Sequence, residues 1–347
     1  MKTAIVILSW NGSSMLRRFL PSVISHTPAE LAKIIVADNG STDDSLAVLA
    51  DEFPSVEVIR LDQNYGFAEG YNQALKRVGE ECVRQAQHEY DYYLLLNSDV
   101  ETPEGWLQPM VEYMDAHPEV AACQPKLRAE HTPTHFEYAG AAGGFLDAYG
   151  YPYCRGRIFD SVEEDRGQYD SVADVFWATG AALLIRAKVY WEVGGLDGRF
   201  FAHQEEIDLC WRLRSRGYRI VCVPQSVVYH VGGGTLPKEN PRKTFLNFRN
   251  NLLLLYKNLP ERRLRRVLFV RFWLDALASV VFLLKGESRS FLAVWQGRRA
   301  FRRMKADFAA DRAANLAATV VDPIPEQMTG SLLAAYYLKR KKTFQQL

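Results

Sequence analysis

Short apolar runs recur along the first hundred residues, at 4–8 (AIVIL), 33–37 (KIIVA), 56–61 (VEVIRL) and 92–96 (YYLLL). Each predicts a strand. Residues 13–24 and 71–87 carry helical periodicity between them. Near-continuous apolar strands alternating with helices imply an α/β fold whose mostly parallel central sheet is covered on both faces. Ligands of such sheets gather at the carboxyl ends of the strands. Three polar clusters fall at those ends: Ser9, Trp10 and Asn11; Asp38 and Asn39; Asn97, Ser98 and Asp99. Ser41, Thr42, Asp43 and Asp44 supply short oxygen side chains to cap the helix that follows.

From 118 to 235 the pattern is less regular, with strand-like pieces at 120–124, 182–185 and 218–223. The stretch 128–169, rich in Gly, Tyr, Pro and His, predicts loops over a site. Helical patterning returns from about 243 to the end, with basic clusters at 262–266, 298–305 and 339–342. The apolar run at 4–8 is too short for a signal peptide, whose apolar region needs about 7–15 residues, and reads as a buried strand. The one membrane candidate is 267–284, which contains Arg271 and Asp275. A spanning helix wants about 20 mostly apolar residues, and charges near its centre are costly.

Composition places the 347 residues among packed globular chains, with 48% hydrophobic and 24% charged residues. Length suggests about two domains, or one large α/β domain with an appendage. Five cysteines without CxxC spacing fit a reducing compartment and argue against structural zinc. The net charge of +1 hides a split: 1–240 holds 21 Lys and Arg against 34 Asp and Glu, a net of −13, whereas 241–347 holds 21 against 7, a net of +14. We therefore divide the chain into 1–240 and a basic helical region, 241–347, with different tasks.

Three features carry chemistry. A carboxylate after a buried strand, here Asp99, can bind a divalent ion that in turn holds a diphosphate; the bland reading is a turn residue. Glu205, Glu206 and Asp208 lie within four residues, flanked by Phe200, Phe201 and Trp211. Their mutual repulsion raises pKa values and suits a general base; the bland reading is an acidic first helical turn. His230 follows an apolar run and precedes Gly232, Gly233 and Gly234, where backbone can approach a ligand closely. Trp106 and Trp211 read as core residues, and Trp177 divides evenly between core and a sugar-stacking ring.

Together these blocks make 3–255 resemble family 2 glycosyltransferases of the GT-A fold, in the bacterial rhamnosyltransferase-like and galactofuranosyltransferase-like branch. The resemblance rests on 5–12 (IVILSWNG), 36–43 (VADNGSTD), 64–72 (NYGFAEGYN), 94–100 (LLLNSDV), 194–201 (GGLDGRFF), 204–212 (QEEIDLCWR) and 229–232 (YHVG), in that order. It implies an inverting transfer that depends on Mn²⁺ or Mg²⁺, from a nucleoside diphosphate sugar to a saccharide or lipid-linked saccharide in polysaccharide synthesis. Asn97, Ser98 and Asp99 resemble the family's DxD element, with Asp99 on the metal. Glu206, second of an acidic pair usually Glu-Asp, takes the base position, with Glu205 and Asp208 as alternatives. His230, 24 residues after Glu206, resembles a metal ligand. Ser9, Trp10, Asn11, Asp38 and Asn39 would hold base and ribose. Gly66 and Phe67 would floor the donor site, the missing side chain of Gly66 admitting the nucleotide. The donor stays open among dTDP-rhamnose, UDP-galactofuranose, UDP-glucose or galactose, and a GDP-sugar.

Competing readings are a nucleotidyltransferase, which wants a Gly-rich basic loop where Ser9–Ser14 stands; a dehydrogenase, which wants GxGxxG after the first strand; and a non-catalytic sugar-nucleotide-binding or membrane-scaffold protein on the same fold. No motif supports nucleic acid as a partner of the basic region. A solvated helical surface is the default for such a charge run; docking at an anionic membrane surface, on the inner face of the plasma membrane, is what 269–284 with the flanking 262–266 fits best.

Overall fold

The computed structural model describes residues 2–84, 89–232 and 240–347. Strands β1 (Thr3–Ser9), β2 (Ala32–Asp38), β3 (Glu57–Arg60) and β4 (Tyr92–Asn97) alternate with helices α1 (Ser13–Ser25), α2 (Ser45–Glu52) and α3 (Gly66–Arg84). They form a parallel block in the order β3-β2-β1-β4. β1 shows why its run is apolar throughout. Ala4 and Val6 face a core shared with α3, and Ile5 and Ile7 face a second core shared with α1, so both faces are buried. α3 starts five residues before the periodicity predicts, at Gly66; residues 85–87 of the predicted helix lie outside the described residues. Asp43 links two helices: it accepts from the backbone N–H of Ser45 at 3.0 Å and of Ser13, at the start of α1, at 3.2 Å.

The second half adds β5 (Val100–Glu101), α4 (Gln108–Ala116), β6 (Val120–Ala129) and β7 (Thr132–Phe136), then a four-stranded antiparallel sheet of β8 (Gly144–Leu146), β9 (Pro152–Cys154), β10 (Arg157–Ile158) and β11 (Ser161–Val162). Loops are expected over this segment; short hairpins fill it instead, because strands of two or three residues are too brief to show alternation. β12 (Ala173–Asp174), β13 (Ala182–Arg186), α5 (Ala187–Glu192), α6 (Glu205–Ser215) and β14 (Arg219–His230) complete the ten-stranded sheet, ordered β12-β14-β6-β13-β4-β1-β2-β3 with β5 on β14 and β7 on β6. β14 runs beyond the predicted 218–223 through a register shift between Val223 and Val227, and so delivers His230 to the edge.

Helices α7 (Pro241–Asn258), α8 (Glu261–Leu284), α9 (Ser288–Met304) and α10 (Ala309–Ala317) follow. Leu252, Leu253, Leu254 and Leu255 of α7 are fully buried in the same core as Val6 and Leu95 of the sheet. α7 is thus packed as part of the α/β unit and stands directly behind α6.

Candidate active site

Strand register aligns the first three clusters. Ser9 pairs with Asp38 across β1 and β2, and Leu8 with Asn97 across β1 and β4, so the three polar ends share one edge. Ser9 and Asp38 are buried, and Ser9 Oγ and Asp38 Oδ1 have no hydrogen-bond partner among the described residues. Buried polar atoms are rarely left so, and a polar ligand is the ordinary remedy. Asn11 adopts φ 49° and accepts from the Thr42 N–H at 2.8 Å, while Trp10 projects into solvent.

Two expected donor contacts have another role. Asn39 spends its amide internally: Nδ2 donates to the Gly66 carbonyl at 2.9 Å and Oδ1 accepts from the Tyr65 N–H at 3.0 Å. It braces the turn before α3. Gly66, at φ 76°, does not open space for a nucleotide; a Cβ there would lie 2.6 Å from the Phe201 ring. The missing side chain admits Phe201, whose carbonyl accepts from the Phe67 N–H at 2.7 Å. Phe67 packs edge-on against Tyr71 at 4.8 Å.

Asp99 and His230, 131 residues apart in sequence, meet with Oδ1 3.1 Å from Nε2. The cause is local pairing: β5 lies antiparallel to the end of β14, setting Val100 opposite His230, and the Val231 N–H donates to the Asp99 carbonyl at 3.1 Å. Asn97 Nδ2 stands 3.4 Å from the same Nε2. Behind the ring, the buried Glu137 places Oε1 3.4 Å from Nδ1. Burial disfavours a charged imidazolium, but the two carboxylates outweigh it and push His230 up; a divalent cation between Asp99 and Nε2 would take the place of that proton. Burial likewise pushes Asp99 up, and the contact with His230 more than reverses it, leaving its carboxyl below the usual range. Glycine suits position 232, whose φ of 69° other residues seldom adopt and where a Cβ would press on Glu137 Oε1 at 2.7 Å. Gly233 and Gly234 lie outside the described residues.

A carboxylate oxygen, an imidazole nitrogen and a carboxylate behind that imidazole suit a divalent cation and its supporting layer. Among the described residues, no three His, Cys, Asp or Glu side chains form a metal-holding cluster. The set fits a cation that takes its remaining ligands from water and substrate phosphates, as Mg²⁺-type ions do.

The acidic pair opens α6. The preceding loop is held in left-handed backbone at Phe201 (φ 66°), His203 (70°) and Gln204 (76°), a conformation non-glycine residues seldom adopt. Asn250 of α7 holds it there, donating to the carbonyls of Phe200, Ala202 and His203 at 3.0, 2.8 and 2.7 Å. Asn251 adds a donation to Gln204 Oε1 at 3.2 Å. Glu205 is buried and Glu206 half-buried, and Oε2 of each is sealed from water without a described partner. Burial pushes Glu206 up to about 7, and Glu205, which also feels the Glu206 charge, well above the carboxylate range. A Cβ on Gly180 would lie 3.0 Å from the Phe67 ring and 3.9 Å from Glu206 Cβ, and the next carbonyl, of Ala181, accepts from the Asn97 N–H at 3.0 Å. The acidic pair and the Asn97–Asp99 turn are thus joined through residues 180 and 181.

Asp208 departs from expectation. It points to the far side of α6, where Lys257 Nζ (2.7 Å), Asn258 Nδ2 (2.8 Å) and Arg212 Nε (3.0 Å) fill both its oxygens. Burial works against its charge, but Lys257 and Arg212 prevail and hold its pKa below the ordinary value. It binds α6 to α7 and is not placed to take a proton. Trp177 is likewise a core residue, its ring filling the space over Gly144 and its Nε1 donating to the Phe145 carbonyl at 3.0 Å.

Sequence reasoning missed Glu137, Asn250 and Asn251. The last two had a visible signal: adjacent asparagines before four leucines in a helical stretch, where an unpaired amide would be costly. Glu137, in an irregular segment, had none.

Residues 4–193 match the family described as Glycosyl transferase family 2. The N-acetylglucosaminyl-diphospho-decaprenol L-rhamnosyltransferase of Mycobacterium tuberculosis is 25% identical over 230 residues, 65% of this chain and 75% of its own. The rhamnosyltransferase WbbL of Escherichia coli strain K12 is 25% identical over 264 residues, 75% of this chain and 93% of its own. Two solved structures share the fold. GalNAc-T7 with UDP, GalNAc and Mn²⁺ has a TM-score of 0.56 at 18% identity, covering 74% of this chain and 48% of that one. The mannosyltransferase PcManGT from Pyrobaculum calidifontis, in complex with GDP-Man and Mn²⁺, has 0.52 at 13%, covering 99% and 84%. The protein belongs to glycosyl transferase family 2 and is a glycosyltransferase of the GT-A fold.

Proposed function

We propose that the protein is an inverting rhamnosyltransferase that moves a deoxyhexose from a nucleoside diphosphate donor to a lipid-linked saccharide in cell-surface polysaccharide synthesis. The sugar and acceptor rest on the two rhamnosyltransferase relatives, one acting on a decaprenol-linked N-acetylglucosamine. The mechanism rests on one observation: a half-buried carboxyl, Glu206, opens α6 beside Gly180 with its Oε2 sealed from water and without a described partner, next to the turn that carries the Asp99–His230 pair. Ser9 and Asp38, with their unpartnered oxygens, take the nucleoside, and Trp10 and Asn11 border it. Asp99 and His230 would hold the divalent ion, Mn²⁺ or Mg²⁺, which when bound neutralises negative charge on the diphosphate.

Glu206 accepts the proton of an acceptor hydroxyl as that oxygen bonds to the anomeric carbon. The bond from that carbon to the diphosphate breaks on the opposite face, and the nucleoside diphosphate leaves with the electron pair. Configuration inverts in this single displacement. Residues 1–240 carry these groups. The region 241–347 has a separate task at the membrane, although α7 also supports the site. Five free, buried cysteines agree with a reducing cytoplasm.

The test is Glu206→Gln. Turnover is expected to fall at least about 100-fold while donor affinity, measured calorimetrically with Mn²⁺, stays within a few-fold. Near wild-type turnover in this variant overturns the assignment.

A further inference from the structure

α8 is built inside out. Over its last 18 residues the charged side chains are Arg271 and Asp275. With Ser279 they make a stripe at i, i+4 and i+8 that is buried against the protein. Arg271 donates to Asp275 Oδ1 at 3.0 Å, to the Tyr149 carbonyl at 2.9 Å and to Asn251 Oδ1, and Arg298 of α9 closes on Asp275 Oδ2. The opposite face holds Phe269, Trp273, Leu277, Val280 and Leu284, at helical spacing and exposed by 66, 61, 62, 47 and 82%. A helix in water turns its apolar stripe to the core and its polar side outward; here the order is reversed, which is stable when what lies outside is itself apolar.

Charge decides what lies outside. Arg262, Arg265 and Arg266 stand exposed near one end of α8, the first two paired with Asp322 and Glu261, and Lys285 and Arg289 stand exposed at or beyond the other. Two copies packed face to face would set these basic ends against one another in either direction. Anionic headgroups would receive them. The stripe is tied to α7 and α9, so α8, about 36 Å long, cannot turn all sides to lipid without stripping paired charges. We propose that α8 lies flat in the surface of an anionic bilayer, immersing Phe269, Trp273, Leu277, Val280 and Leu284 with Arg271 and Asp275 turned inward. This deepens the lipid-linked acceptor reading and rests on it for the purpose of docking. From Arg271 the hydrogen bonds run through Asn251 to Gln204, the residue before the acidic pair. The catalytic loop thereby sits at a fixed height over the headgroups, where an acceptor can present its sugar while its tail stays in lipid.

The experiment is flotation of the full chain with vesicles of phosphatidylcholine alone and of phosphatidylcholine with phosphatidylglycerol. Wild type is expected to float with the anionic vesicles and to lose that binding as salt rises. Trp273→Glu, or Leu277→Glu should the first variant fold poorly, is expected to weaken it at least about tenfold. The double variant Arg266→Glu/Arg289→Glu weakens binding to the anionic vesicles by about tenfold or more and leaves the weak binding to neutral ones. Equal flotation of Trp273→Glu and wild type overturns the proposal. So does a dimer in sedimentation that Trp273→Glu dissolves, with no vesicle binding by wild type. Binding of UDP, dTDP and GDP with Mn²⁺ is followed alongside. Absence of binding of all three to wild type would sink the glycosyltransferase mechanism and leave docking standing, whereas nucleotide binding without flotation sinks docking alone.

Discussion

Asn250 Nδ2 stands 2.7 Å from the carbonyl oxygen of His203, and the same amide serves Phe200 and Ala202. One side chain from the C-terminal helices therefore holds a loop whose backbone is left-handed at three non-glycine positions. Such strain persists where surroundings over-determine it. Asn250→Asp keeps the volume and removes the donor. It is expected to lower kcat at least about tenfold with donor affinity little changed, because the loop would relax and Glu206 would lose its position. Stability should fall by about 1–3 kcal/mol. A changed KM with unaltered kcat in steady-state kinetics contradicts this.

The acidic pair predicts the pH profile. Glu206, pushed by burial up to about 7, must lose its proton to serve as the proposed base, so kcat should rise with pH through that region. The acidic limb should vanish in Glu206→Gln. Stability runs the other way. A carboxyl whose folded pKa exceeds its unfolded one, about 4.3, keeps its proton in the folded state where the unfolded chain has released it. Folding is then penalised increasingly as pH climbs from the unfolded value to the folded one. Glu205→Gln should accordingly raise Tm by a few degrees at pH 8 and by less at pH 5 in thermal melts.

Glu137 stands behind the His230 ring, and a carboxylate there would fix the orientation of His230 as the proposed metal ligand. Glu137→Gln is expected to weaken Mn²⁺ affinity about 10–100-fold, read by electron paramagnetic resonance without substrate. His230→Ala should weaken it further. Unchanged Mn²⁺ binding in both variants would remove this pair from the metal site.

Asp208 and Lys257 test the separation of structure from chemistry. Lys257 Nζ also reaches Asp197 Oδ2 at 2.8 Å, so Lys257→Met strips two buried carboxylates of one partner. A loss of about 3–5 kcal/mol is expected in denaturant unfolding. The acid limb of the rate profile should stay in place, since neither residue faces the reacting groups.

Much of the first hundred residues was legible because parallel strands buried on both faces read as continuous apolar runs, and their polar ends mark the ligand edge. The small hairpins of 144–162 were not, since two- and three-residue strands carry no period. Gly66 shows how a correct residue acquires a wrong reason: a glycine announces close approach, but only coordinates show that a phenylalanine from 135 positions later is what approaches. Asp208 looked equivalent to its neighbours because sequence gives spacing, whereas the turn of α6 sends it toward Lys257 and away from Glu206.

By itself the sequence determined the strands of the parallel block, their polar ends, the acidic pair and the charge division, each a pattern of residues close together in the chain. Tertiary structure decided which carboxylate meets His230, what grips the loop before α6 and which face of α8 looks outward. Those are contacts between segments tens to more than a hundred residues apart, and no local pattern encodes a partner at that distance.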